Sequence, residues 1–134
     1  MEKKFKRDIQ ILGDVFNFVE ESCSSLKINN DLLFSVNFVI EELFTNMVKY
    51  NQSTSQSDIS VGVEKQMGQL LIRLTDYDVD GFDITQAREV DTSATLEERG
   101  IGGLGIHLVK KMVDDIQYNY SNRQSTITLI KNLG

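Results

Sequence analysis

The hydrophobic period of this chain changes from helical to alternating and back, and that order restricts its fold more than any other feature. Ile9, Leu12, Phe16, Val19 and Cys23 recur at helical spacing, which predicts a first helix over about 9–26. Asn29 and Asn30 are N-cap candidates for a second helix, roughly 30–51, whose buried stripe is Leu33, Val36, Ile40, Leu43 and Met47. The Ser/Gln-rich stretch 52–57 is a loop. Ile59, Val61 and Val63 then alternate with Ser60, Gly62 and Glu64, and Leu70, Ile72 and Leu74 alternate with Leu71, Arg73 and Thr75, giving two strands joined by a turn at Met67-Gly68-Gln69. A third helix is predicted over roughly 103–115, with Leu104, Leu108, Met112 and Ile116 inward, and two strands near 117–121 and 124–131 follow. Residues 3–7 form a basic, strand-like arm. Helices, hairpin, helix, hairpin is the order of an α+β two-layer sandwich: an antiparallel-rich mixed sheet with helices on one face, as one domain over 1–134.

Charge and cysteine content narrow the function. A net charge of −6 without a basic run argues against direct binding to nucleic acid and suits a basic protein partner. The single cysteine, Cys23, excludes an intrachain disulfide and a cysteine metal cluster. No apolar run approaches membrane-spanning length and no signal peptide is evident, so the expected compartment is the cytoplasm and no membrane partner is expected.

Three segments carry candidate chemistry. Gly100, Gly102, Gly103 and Gly105 run directly into the third helix. Glycines let a backbone approach a ligand closely, and the first N–H groups of a helix have no partner within it, so this entry can cradle phosphate. It is not a Walker loop, because no Lys-Ser/Thr pair follows, and with no strand directly before it the dinucleotide fingerprint fits poorly. On the second helix Glu42 and Asn46 stand four apart and share a face, whereas Glu41 points about 100° away. Such a pair can hold Mg²⁺ through the amide oxygen and take a proton on the carboxylate, although in isolation it is more often a solvated helix face. Asp76 is in phase with Leu70, Ile72 and Leu74, so the apolar face of a strand delivers a carboxylate inward, where an exocyclic amine or a backbone turn can satisfy it. Asp76, Asp78 and Asp80 before Gly81 resemble the start of a calcium loop, but the Glu expected at its twelfth position is missing. The polar stretch 86–100 is long for a loop, and a lid closing over bound phosphates is expected there.

Taken in order, these segments resemble the nucleotide-binding domain of the GHKL superfamily, and most closely the small anti-sigma-factor serine/threonine kinases. Glu-Glu-Leu-Phe-Thr-Asn-Met-Val-Lys-Tyr (41–50) matches the N-box, Thr-Asp-Tyr-Asp-Val-Asp-Gly-Phe-Asp (75–83) lies at the first glycine box, and 96–111 matches the second. The resemblance implies ATP and Mg²⁺ as cofactors, with Asn46 on the metal, Glu42 as base and Lys49 reaching phosphate. It also implies Asp76 and Ser125 at adenine, with Gly81 beneath it, and Gly100, Gly102, Gly103, Leu104 and Gly105 around the phosphates. The first box departs from the pattern, since Asp78 and Asp80 replace small residues and only Gly81 remains. Expected partners are a sigma factor and a STAS-type anti-sigma-factor antagonist, with a homodimer as the family's assembly. The alternative is a non-catalytic ATP-binding switch. A sensor histidine kinase is not expected: no phosphoacceptor helix precedes the domain, and His107 reads as a packing residue of the third helix.

Overall fold

In the computed structural model, residues 1–51, 57–77 and 103–133 are described. The chain runs β1 (Glu2–Phe5), a 3-10 turn (Ile9–Ile11), α1 (Leu12–Ser25), a second 3-10 turn (Asn30–Leu32), α2 (Leu33–Asn51), β2 (Ile59–Gln66), β3 (Gln69–Tyr77), α3 (Gly103–Met112), β4 (Asp115–Ser121) and β5 (Gln124–Asn132). The strands form one sheet in the order β1-β2-β3-β5-β4, and each pairing among the described residues is antiparallel.

Register puts the apolar alternation of each strand on one face. Val61, Leu74 and Ile127 form one row across β2, β3 and β5, and Val63, Ile72 and Leu129 form the next. All six are buried with Ile40, Leu43 and Phe44 of α2 and Val15 and Val19 of α1, so the core lies between the sheet and the helices. Burial of this kind stabilises by about 25 cal/mol per Å² of apolar surface, and it holds the helices on the sheet. The expected α+β two-layer architecture is the one found.

Both hairpins close through two residues with positive φ: Met67 and Gly68 at 50° and 75°, and Asn122 and Arg123 at 52° and 61°. This is the primed-turn geometry that matches the right-handed twist of paired strands. Gln69 already belongs to the ladder, paired with Gln66, so the first turn is shorter than expected.

The helices differ from the expectation at their ends. Asp8 and Asn29 each accept a hydrogen bond from the backbone N–H two residues on, at 2.9 Å, and each opens a 3-10 turn rather than a regular first turn. Ile9 consequently sits outside α1 and is exposed. On α3 Val109 is buried, 1% exposed, whereas Leu108 is 40% exposed, and Met112 packs against the core as expected. The helix also stops at Met112, because Asp114 N–H donates to the Ile130 carbonyl at 2.9 Å and the Asp114 carboxylate accepts from Asn132 N–H at 2.6 Å. Those bonds draw the chain into β4, and Ile116 faces the core from a strand.

Candidate functional site

One end of the sheet carries polar residues where the rest of its inner face is apolar. In the row beyond Val61, Leu74 and Ile127, Ile59 lies beside Asp76, Asp76 beside Ser125, and Ser125 beside Tyr120. Asp76 is 1% exposed and Ser125 is buried, so the carboxylate and the hydroxyl face the helices from adjacent strands. The phase of Asp76 within β3 is the one its spacing predicts.

α2 brings the second group. Asn46 is 5% exposed, and among the described residues neither its Oδ1 nor its Nδ2 has a hydrogen-bond partner. A buried carboxamide with both ends unsatisfied costs about 1–3 kcal/mol per polar group, so a residue retained in this state points to a ligand. Glu42, one turn earlier, is half-buried, and Lys49, in the last turn, is exposed. Burial and the neighbouring Glu41 push the Glu42 carboxyl above the ordinary carboxylate range, and Lys49 partly offsets them.

α3 packs against α2. An apolar pocket is lined by Leu32, Ser35, Val36 and Val39 from the start of α2 and by Met112 and Val113 from the end of α3. The end of α3 therefore lies beside the start of α2. Gly103, Leu104 and Gly105 form the first turn, where backbone N–H groups lack helical partners. Gly81, Gly100 and Gly102 lie outside the described residues, as does the expected lid at 86–100.

Sequence reasoning missed Arg7. Its guanidinium donates from Nε to the Ser57 carbonyl at 3.2 Å, from Nη1 to the Met47 carbonyl at 3.0 Å, and from Nη2 to Asp76 Oδ1. The side chains of this ion pair are 4% and 1% exposed. The one available signal was the choice of Arg among the lysines of the N-terminal arm, since the planar fork of Arg suits buried ion pairs.

The donor set fits a magnesium nucleotide. Mg²⁺ takes few protein ligands and keeps waters and phosphate oxygens, so a single buried amide oxygen is a sufficient protein contribution. Among the described residues no cluster of three or more His, Cys, Asp or Glu could hold a metal by itself. No helix is long and apolar enough to cross a membrane among those residues.

Comparison with known proteins bears on the family and the fold. The family described as histidine kinase-like ATPase domain matches residues 6–131. A chain of the SiaB–SiaC complex from Pseudomonas aeruginosa superposes with a TM-score of 0.69 at 12% identity, over 97% of this chain and 88% of that one. The histidine kinase AdeS of Acinetobacter baumannii gives a TM-score of 0.55 at 13% identity, over 100% of this chain and 68% of that one. No curated protein matches.

Proposed function

The chain belongs to the histidine kinase-like ATPase domain family, and from that premise we propose that it is an ATP-dependent anti-sigma factor and serine/threonine kinase acting on a STAS-type antagonist. The observation that carries the ATP and metal part of this reading is Asn46, buried on α2 with both polar atoms unpartnered among the described residues. Asp76 and Ser125 offer a carboxylate and a hydroxyl to the amine edge of adenine, and the α3 entrance offers backbone donors to phosphate. Asn46 would hold Mg²⁺ through its amide oxygen, and the metal would neutralise part of the triphosphate charge.

Glu42 accepts the proton of the antagonist's hydroxyl as its oxygen forms a bond to the γ-phosphorus and the bond to the β-phosphate oxygen breaks, leaving ADP. A carboxyl raised above its ordinary range is better matched to this task near neutral pH than an exposed one. Lys49, in the last turn of α2, is the proposed side-chain contact to phosphate oxygens. The SiaB–SiaC neighbour assembles with a second protein, which accords with a partner-docking domain. The sigma factor, the homodimer and the cytoplasmic location belong to the same proposal.

The test is incubation of the protein with Mg-ATP and a purified STAS-type antagonist from the same genome, following phosphate on the antagonist. Transfer by wild type that is lost in Glu42→Gln supports the kinase. ATP-dependent capture of a sigma factor with no transfer supports the switch, a reading favoured by the Asp78 and Asp80 departures in the first glycine box.

A further inference from the structure

We propose that Arg7 is a positioning residue of the nucleotide site, acting through Asp76 to set the preference for an adenine base; the proposal rests on the nucleotide reading above. Arg7 lies in the short link between β1 and the Ile9–Ile11 turn. There Asp8 N–H donates to the Lys6 carbonyl at 2.8 Å, and the Asp8 side chain caps Gln10. The guanidinium bridges three parts of the fold: the Met47 carbonyl beside Asn46 on α2, the Ser57 carbonyl ahead of β2, and Asp76 on β3.

Each of these acceptors fixes a different N–H of one rigid plane, so Arg7 cannot rotate without breaking several bonds. Asp76 is held in turn, because the pair is almost wholly buried and separating it would leave a charge without compensation. An ionised carboxylate has about four acceptor sites, so a carboxylate held by an arginine can also accept from a base. The carboxylate therefore reaches a base edge with its orientation already set, and the entropy of ordering it is not incurred on binding. Lysine cannot reproduce this, since a point charge on a flexible stem does not match three separated acceptors. The basic arm is thereby part of the base-recognition apparatus as well as an edge strand.

Inosine triphosphate separates this role from general packing, because it has a carbonyl oxygen where ATP has the exocyclic amine. Affinities for Mg-ATP and Mg-ITP are measured by calorimetry on wild type, Arg7→Met and Arg7→Lys. Wild type is expected to prefer ATP. Arg7→Met should lose about 10–150-fold in ATP affinity, the worth of a hydrogen bond to a charged group, while ITP affinity changes little, bringing the two together. Arg7→Lys should fall between, and it carries the test if Arg7→Met does not fold. A wild-type ATP/ITP ratio in Arg7→Lys, or equal losses for both nucleotides in either variant, overturns the proposal. Wild type binding neither nucleotide would overturn the nucleotide reading itself, and this inference with it.

Discussion

Asn46 and Glu42, one turn apart on α2, should separate stability from function in opposite assays. Asn46→Ala removes two buried polar atoms that lack partners among the described residues and replaces Asn by a better helix former. The variant should unfold about 1 kcal/mol harder than wild type without nucleotide, yet lose the Mg²⁺ dependence of ATP binding; thermal melts and titrations with and without Mg²⁺ check both. For Glu42 the folded carboxyl is raised above its unfolded value, so the ionised form is disfavoured by the fold. That penalty is absent below the unfolded pKa and sets in as pH rises through the folded one. Glu42→Gln should therefore be at least as stable as wild type at neutral pH while phosphate transfer falls by about 10²–10⁴-fold. The acidic limb of the wild-type pH–rate profile should lie above the ordinary carboxylate range. Glu41→Gln, on another face, should transfer normally. Cys23 is buried, and burial together with Glu20 pushes its thiol up, so it should react slowly with thiol reagents until the protein unfolds.

At the scale of the element, the turns and caps were largely legible and the helix faces less so. The alternation around Met67-Gly68 placed a hairpin because a period of two leaves few registers open. Met67 occupies a left-handed conformation at φ 50° and is 99% exposed, so its side chain contributes strain and almost no packing. Met67→Asn, which tolerates that region, should raise stability by about 1 kcal/mol, read as a higher melting temperature. Asn29 was recognised as a cap from residue type alone, and its side chain does accept from Asp31 N–H at 2.9 Å. Leu108 was expected inward and is exposed while Val109 is buried, because the two are similarly apolar and only the packing of the helix chooses between them; Met112 and Ile116 do pack on the core.

At the scale of the molecule, the site is made by assembly rather than by any one motif. Sheet register sets Asp76 beside Ser125, and the bonds of Arg7 to Asp76 and to the Met47 carbonyl tie that end of the sheet to α2 next to Asn46. Because the ligand would bridge elements that only the native fold unites, saturating Mg-ATP should stabilise wild type substantially. The expected gain is about 4 kcal/mol at a thousandfold excess over Kd, against a smaller gain in Asn46→Ala. Scanning calorimetry with and without nucleotide measures both. Leu74→Ala, in the row next to Asp76, should cost about 2–5 kcal/mol of stability by opening a cavity beneath the same site.

The sequence by itself determined the layers, the strand hairpins and the inward phase of Asp76, because these follow from local periodicities of two and about four. It also supplied Glu42 and Asn46 on one face, through nothing more than a four-residue spacing. It could not foretell that Asn46 would be buried without a partner among the described residues, that Glu42 would be pushed upward by its surroundings, or that Arg7 would reach Asp76. Each depends on desolvation and on contacts between residues as far as 69 positions apart, which no local pattern encodes. Only the tertiary structure decided those, because solvent exclusion and charge pairing arise when distant segments pack together.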